Sequence, residues 1–235
     1  MTTKPTKRSE INEVIYDNKR WELLRAYRRK AANLLSVLEN LHLQAIVHGS
    51  IARGDVKEKS DIDIFIPNPP SSFFIETALE QKNIHINTRM VIQATPTYAM
   101  KAYLEIDQTT TISFPLMDLR KVEREFYKFS GEATLKEIAS ESRIIGVDKR
   151  LMLIEPISSG HIESTIINRE EHVAKALGIS METVLDRVRT LLKRDSVGRT
   201  GVFIKKELAP DETFELALKR LSDINPAVRR RLNAD

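Results

Sequence analysis

Two aspartates placed two residues apart are the first feature of this sequence that could do chemistry. Asp61 and Asp63 begin the segment 61–66, whose period of two is typical of a β-strand. Side chains two apart on a strand point to the same face, so these carboxylates would lie side by side and repel each other. Carboxylate oxygens are ligands that Mg²⁺ prefers, together with substrate phosphates. The pair therefore predicts a divalent metal site.

A glycine–serine pair upstream of the aspartates could hold phosphate. Gly49 and Ser50 follow a short apolar run and precede a predicted turn or short helix. Glycine lets a phosphate approach the backbone closely, and the serine hydroxyl and nearby N–H groups can donate to phosphate oxygens. Arg53 and Lys59 add positive charge to the same region. A phosphate cradle about ten residues before a metal-binding pair is what nucleotidyl transfer requires.

These residues resemble the nucleotidyltransferase superfamily of DNA polymerase beta, CCA-adding enzymes, poly(A) polymerases and kanamycin nucleotidyltransferase. The resemblance covers residues 20 to 120 approximately and rests on Gly49-Ser50 followed by Asp61-x-Asp63. It implies transfer of an NMP from a metal-bound NTP to an acceptor hydroxyl, with release of pyrophosphate. The acceptor class stays open among RNA, protein and small molecules. The implied site residues are Asp61 and Asp63 as metal ligands with two Mg²⁺ ions, or alternatively Mn²⁺, and Gly49, Ser50, Arg53 and Ser60 as nucleotide ligands.

The third carboxylate that the resemblance implies is not where poly(A) polymerases keep it. Thr111 precedes Ile-Ser-Phe, where those enzymes have an aspartate, and a threonine cannot act as a carboxylate base. Glu105 is our preferred catalytic candidate, with Asp107 and Asp118 as alternatives. This departure supports a second hypothesis, a catalytically inactive nucleotide-binding regulator.

Helical and strand patterns surround these residues and predict an α/β (α+β) fold, a small mixed sheet flanked by helices. Apolar residues at steps of three and four predict a long helix over 18–40, and an apolar run predicts a buried strand over 45–47. Residues 1–17 are predicted to be a polar lead-in. The remaining predictions are helices over 71–82 and 116–129 and strands over 84–93, 98–106, 109–114 and 151–154.

The last third of the chain resembles a helix-turn-helix with a wing. Helical periodicity over 169–192 is interrupted at Gly178-Ile179-Ser180, and a short strand is predicted at 202–204. Lys205 and Lys206 would lie on a hairpin that forms the wing. We therefore predict a nucleotidyltransferase domain over 1–150 and a mainly helical, winged-helix-like domain over 151–235. The second domain is a candidate for nucleic-acid binding, although the acidic Glu182 and Asp186 would repel phosphate.

Composition excludes several classes of protein. The 235 residues contain no cysteine, which excludes disulfides, thiol catalysis and cysteine-bound zinc. The formal net charge of +4 permits a polyanionic partner without requiring one. No apolar run approaches the roughly 20 residues that span a bilayer, and no signal peptide is recognised at the start. These features favour a cytoplasmic protein that does not contact membranes.

Overall fold

The computed structural model describes residues 11–198 and 201–234 and arranges them around two β-sheets. The strands are β1 (Ile11–Ile15), β2 (Ile46–His48), β3 (Ile62–Phe65), β4 (Thr88–Gln93), β5 (Lys101–Asp107), β6 (Thr110–Pro115), β7 (Glu132–Ala133), β8 (Gly146–Val147), β9 (Met152–Ile157), β10 (Gly160–Thr165) and β11 (Ile204–Glu207). The helices are α1 (Asn18–Asn40), α2 (Ser50–Arg53), α3 (Ser72–Gln81), α4 (Lys121–Ser130), α5 (Leu135–Ala139), α6 (Glu170–Leu177), α7 (Met181–Val197), α8 (Phe214–Ile224) and α9 (Pro226–Leu232). The predicted mixed α+β fold is confirmed.

The larger sheet has seven strands in the order β11-β4-β5-β6-β3-β2-β7. Neighbouring strands run antiparallel except β3 and β6, which are parallel. Ile62 and Ile64 of β3 are fully buried in the main core, which also contains Leu35 and Leu38 of α1. Because side chains alternate along a strand, Asp63 and its neighbours lie on the opposite face.

Helix α4 covers part of that opposite face. Tyr127 of α4 stacks on Phe65 of β3, with ring centroids 3.7 Å apart. Phe129 of the same helix belongs to a separate core formed with α6, α7 and the second sheet. Helix α4 therefore joins the face that carries Asp63 to the second core.

The smaller sheet has four antiparallel strands in the order β1-β10-β9-β8. Strand β1 lies within the segment predicted to be a polar lead-in, so that prediction is wrong for 11–15. Its residues are mostly exposed and show no alternating apolar pattern. It is a strand because its backbone pairs with β10, where Ile11 lies opposite Ser164 and Ile15 opposite Gly160.

The predicted turn between α6 and α7 is present, but Lys205 and Lys206 do not lie on the predicted hairpin. Gly178 ends α6 in the left-handed region, and the Ser180 side chain caps α7 by accepting from the Thr183 N–H. Lys205 and Lys206 lie on β11, which pairs with β4 at the edge of the larger sheet. The wing prediction is therefore wrong, because backbone pairing with a distant strand takes the place of a local hairpin.

Both sheets contain strands from either side of residue 150. Strand β1 lies in the same sheet as β9 and β10, and β11 pairs with β4. The division of the chain at residue 150 stays a prediction, and any boundary has to account for these pairings. Within the described ranges, no helix has the length and apolar character needed to cross a membrane.

Candidate active site

Asp61 and Asp63 lie in a cleft of about 440 Å³ beside the start of β3. Asp63 is half-buried and Asp61, one residue before the strand, is exposed. Neither carboxylate has a hydrogen-bond or ion-pair partner among residues 11–198 and 201–234. Burial and the charge of Asp61 raise the pKa of Asp63, while the charge of Lys149 lowers it. The two carboxylates thus keep an unrelieved repulsion, which fits a divalent cation.

The glycine–serine turn stands beside this pair. Gly49 has φ +80° and ψ −144°, and a Cβ placed on it would meet no atom within 4 Å. The Ser50 hydroxyl donates to Ser60 Oγ over 3.2 Å, and the Lys57 N–H donates to the same Oγ over 2.9 Å. These bonds fold the loop so that Gly49, Ser50 and Ser60 line one cleft with the aspartates. This arrangement leaves open space in front of the turn backbone.

The charges that line the cleft are mainly cationic. Two of the cations are paired locally, Arg53 with Asp55 over 3.0 Å and Arg150 with Asp148 over 2.6 Å. When those two pairs are set aside, five cations line the cleft together with the two aspartates: Lys57, Lys59, Lys149, Arg187 and Arg194. Such an excess suits a triphosphate, whose charge exceeds that of one metal ion.

Sequence reasoning named Lys59 and missed the other four of these cations as site residues, three of which are distant in sequence from the aspartates. Lys149 follows β8, and Arg187 and Arg194 lie seven residues apart on α7, which places them on one face of that helix. Arg187 also lies over the ring of Phe126 on α4, with its Cζ 4.9 Å from the centroid. The sequence carried no local signal for Arg187 and Arg194, because packing of α7 against α4 brings them to the cleft.

Arg53 lies in the cleft wall and is 5% exposed. Its Nη1 donates to the backbone oxygens of Ser130 and Val147 over 2.5 and 3.4 Å, and its Nη2 donates to Asp55 over 3.0 Å. These bonds join α2 to the ends of α4 and β8. They leave Nε as the buried guanidinium nitrogen with no hydrogen-bond partner in the described structure. The predicted nucleotide contact of Arg53 stays a prediction.

His48 ends β2 among aromatic rings. Its Nδ1 lies 3.3 Å from Ser130 Oγ, and its ring packs edge-on against Tyr127 with centroids 4.9 Å apart. Burial, then the charges of Lys101, Arg53 and Lys149, lower the pKa of His48 to about 3. A neutral imidazole at this place orders the strand end that leads into Gly49.

The predicted third carboxylate does not line the cleft. Thr111 lies directly beside Asp63 in the parallel pairing of β3 with β6, and Glu105 lies opposite Thr111 one strand further away. Asp107 is bound 2.8 Å from Lys30. Burial opposes the charged form of Asp107, but hydrogen bonds from Lys30 and Thr109 lower its pKa to about 2.

Asp118, the other alternative, lines a different cavity of about 640 Å³ past the far end of β6. In the part of the chain that the structure describes, no three His, Asp or Glu side chains are grouped closely enough to hold a metal. The cleft therefore contains two unpaired carboxylates, and Thr111 lies beside Asp63 where a carboxylate is absent.

Comparison with known families assigns the chain to one of them. The model of the nucleotidyltransferase domain family matches residues 29–172, which is more than half of the chain. The chain belongs to this family. The matched range contains the glycine–serine turn, the aspartate pair and Lys149, whereas Arg187 and Arg194 lie beyond it. No curated protein matches the chain.

Proteins of the nucleotidyltransferase domain family transfer nucleotidyl units and typically use divalent metal ions. The aspartate pair fits such an ion on structural grounds, because its carboxylates line the same cleft and form no ion pair with a cation in the part of the chain that the structure describes. Asp61 and Asp63 are the residues of this chain that would hold it.

Proposed function

We propose that the protein transfers an NMP from an NTP to an acceptor hydroxyl and releases pyrophosphate. The observation that carries this proposal is the unpaired Asp61–Asp63 couple in a cleft whose other free charges are cationic. A phosphate-binding cleft without acids would need no metal, and an acidic pair alone would repel the triphosphate. Together they suit a metal–triphosphate complex.

Each part of the cleft has a role in this reaction. Asp61 and Asp63 bind the divalent ion, proposed as Mg²⁺ with Mn²⁺ as the alternative. When bound, such ions neutralise the triphosphate and activate the attacking oxygen. The Ser50 and Ser60 hydroxyls and the open backbone at Gly49 hold the phosphates. Lys149, Arg187 and Arg194 neutralise the charge that the leaving pyrophosphate gains.

The bond changes balance without any further reactant. The acceptor oxygen forms a bond to the α-phosphorus, and the bond from that phosphorus to the pyrophosphate oxygen breaks. The hydroxyl proton passes to Glu105 or to bulk water. Glu105 stays our candidate because it lies in register with Thr111 and Asp63 on the same sheet face. We place the reaction in the cytoplasm, where NTPs are available.

A regulator that binds NTP without transferring it is the second candidate function. The observation that favours it is that Thr111, which cannot act as a carboxylate, lies beside Asp63 in the sheet. An inactive protein of this kind would still need Asp61, Asp63 and the cations of the cleft. The two functions therefore differ in transfer and not in binding.

One experiment separates them. The full chain is incubated with each α-labelled NTP, Mg²⁺ or Mn²⁺, and RNA, protein and small-molecule acceptors. Label transfer that falls at least 100-fold in Asp61→Ala and Asp63→Ala, but not in Asp223→Ala, supports the enzyme. Asp223 is an exposed aspartate on α8 and is the matched control. Metal-dependent NTP binding without transfer to any acceptor would instead establish the regulator.

Nucleic-acid binding through α6 and α7 belongs to this proposal only as one acceptor class. Recognition helices contact bases with their first turn. Here the start of α7 is occupied, since the Ser180 N–H and the hydroxyls of Ser180 and Thr183 all donate to Glu125 of α4. Salt dependence of RNA and DNA binding tests this class.

A further inference from the structure

A pocket of about 380 Å³ lies between α1 and the end of α5. One wall is a face of α1, and the other consists of the last residues of α5 and the segment that follows it up to residue 143. In the part of the chain that the structure describes, no residue lines both this pocket and the active-site cleft. The reaction proposed above therefore leaves this pocket without a role.

The charged groups that line this pocket are nearly all cationic. Four arginines, Arg25, Arg28, Arg29 and Arg143, stand against one acid, Glu141. Arg25 and Arg29 are exposed, and within residues 11–198 and 201–234 they form neither an ion pair nor a side-chain hydrogen bond. Glu141 also has no ion pair there, so it offsets one of the four charges at most. The pocket keeps an excess of three positive charges.

Three of the arginines share one face of α1. Arg25 and Arg29 are four residues apart, and Arg28 is three residues from Arg25. Residues at these spacings are neighbours on a helix surface, and like charges placed there repel each other. The helix therefore carries a repulsion between its own side chains that a bound anion would relieve.

Backbone carbonyl groups, not carboxylates, hold the other two guanidinium groups. Arg28 is 7% exposed, and its Nε and Nη2 donate to the carbonyl oxygens of Ile51 and Ala52 over 3.1 and 2.9 Å. Arg143 donates to the carbonyl oxygen of Gly160 over 2.7 Å. Burial, then the charge of Arg143, lowers the pKa of Arg28 to about 10, so it stays charged at pH 7. Both side chains are thus ordered cations whose charge no carboxylate bound to them neutralises.

The charge and shape of the pocket select the ligand. Four guanidinium groups would repel a cation, and a neutral ligand would leave their mutual repulsion in place. Guanidinium groups bind phosphate through paired N–H donors, and phosphate oxygens point in several directions, which suits arginines that approach from two walls. A volume near 380 Å³ is many times the roughly 30 Å³ that one water occupies in the liquid. It therefore has room for more than one phosphate group.

We infer that this pocket binds phosphate groups of a multiply charged ligand, either a free di- or triphosphate or the phosphodiester groups of an RNA strand. Arg25 and Arg29 contact the phosphate oxygens, and Arg28 and Arg143 supply fixed positive charge behind them. Because the contacting arginines are exposed, binding weakens as the salt concentration rises. The inference does not depend on nucleotidyl transfer in the cleft.

The single tryptophan of the chain reports on this pocket. Trp21 lines it, and the Arg143 Cζ lies 4.8 Å from the centroid of the Trp21 ring. The full chain is titrated with pyrophosphate, with ATP and with a short single-stranded RNA, at constant ionic strength in buffer freed of divalent ions. We expect a saturable change of Trp21 fluorescence with at least one of these ligands. Absence of a saturable change with all three would overturn the inference.

Paired variants locate the ligand. Arg25→Gln combined with Arg29→Gln should weaken the affinity in the fluorescence titration about tenfold or more, because charge-assisted hydrogen bonds are lost. This variant should fold, since it breaks no ion pair or side-chain hydrogen bond in the described ranges. Arg189→Gln combined with Arg230→Gln is the matched control, because it removes two exposed arginines and the same net charge from α7 and α9. Equal affinities in the two double variants would place the ligand elsewhere and contradict the inference.

Three comparisons identify the chemistry of the ligand. Citrate carries carboxylates in place of phosphates and should bind more weakly than pyrophosphate, whereas equal affinity would show a site for any anion and refute a phosphate site. Tighter binding of RNA than of ATP would identify strand phosphates as the source, and the reverse would identify a free nucleotide. Phosphate binding at Trp21 without any nucleotidyl transfer would sink the proposed function alone, and transfer without such binding would sink the pocket assignment alone.

Discussion

At the scale of single residues, the site depends on which side chains stand beside Asp63. The parallel register puts Thr111 next to it, and the unpaired Asp61 precedes it by two residues and lines the same cleft. Lys149 acts on Asp63 through its charge, whereas no cation among residues 11–198 and 201–234 forms an ion pair with it. The reactivity of the cleft should therefore respond strongly to a change at position 111.

Replacing Thr111 with aspartate should increase metal-dependent transfer at least tenfold. The new carboxylate would lie beside Asp63 on the same face and give the metal a third oxygen ligand. Without metal, two like charges side by side should lower the free energy of unfolding by about 0.2–1 kcal/mol at pH 7. Transfer rates and urea unfolding, each with and without Mg²⁺, measure both effects.

Thr111→Asn is the matched control for that change, because it has a similar size and no charge. It should alter neither the metal dependence nor the unfolding free energy by a comparable amount. If Thr111→Asp transfers no faster than the natural protein, a carboxylate at this place does not limit the reaction. Glu105→Gln would then be measured next, with a loss of at least tenfold expected if Glu105 takes the proton.

Gly49 should be intolerant of any side chain although there is space for one. Its φ of +80° and ψ of −144° lie in a region that is nearly restricted to glycine, and no atom lies within 4 Å of the added Cβ. We expect Gly49→Ala to cost about 1–3 kcal/mol of unfolding free energy through backbone strain alone. Urea unfolding measures this cost.

The control is Gly178→Ala, at another glycine with open space around its Cβ. Gly178 has φ 61° and ψ 40°, a left-handed conformation that other residues adopt at a smaller cost. It should therefore destabilise the protein less than Gly49→Ala. Equal costs at the two positions would contradict the strain argument.

At the scale of elements, Glu125 fixes the start of α7 and so positions Arg187. It accepts from the Ser180 N–H over 3.0 Å and from the Thr183 hydroxyl over 2.6 Å. Burial raises the pKa of Glu125, but these hydrogen bonds outweigh it and the pKa lies below its ordinary value. A lowered pKa in the folded state means stability that is present above the pKa of the unfolded chain and is lost on acidification.

We therefore expect Glu125→Gln to lower the unfolding free energy by about 1 kcal/mol at pH 7, because charged hydrogen bonds become neutral ones. The difference from the natural protein should shrink as the pH falls below about 4.3, where the unfolded glutamate takes up its proton. The NTP KM should rise, since α7 carries Arg187 and Arg194. Glu182→Gln, an exposed position on the same helix, is the control. A difference that is independent of pH would contradict this account.

The sequence predicted elements with strong periodicity and missed those made by pairing. Alternation over 61–66 correctly indicated β3, and three-to-four spacing gave α1 at its observed bounds. Strand β1 has no apolar alternation, so only its partner β10 makes it a strand. The same limit explains why the pairing of β11 with β4 and the cations from α7 were missed. Local patterns identify a residue's element, but not which distant element it meets.

At the scale of the whole molecule, the C-terminal segment is packed into the main core. Phe214 of α8 is fully buried, and its ring meets Phe114 of β6 edge-on with centroids 5.7 Å apart. Ala217 and Val228 belong to the same core as Ile62 and Ile64 of β3. A change on α8 should therefore affect β3, the strand that carries Asp63.

Phe214→Ala should lower the unfolding free energy of the whole protein by about 3–5 kcal/mol, because it leaves a cavity in a core that spans both ends of the chain. A separable domain beginning at residue 151 would respond differently, since damage to it would leave unfolding of the first 150 residues unchanged. Trp21 fluorescence reports on α1, and circular dichroism reports on all helices. Leu216→Ala, at a 38% exposed position of the same helix, is the control and should cost much less. Coincident transitions for both signals, shifted together by Phe214→Ala, would show one cooperative unit, whereas a Trp21 transition that Phe214→Ala does not move would establish two independent domains.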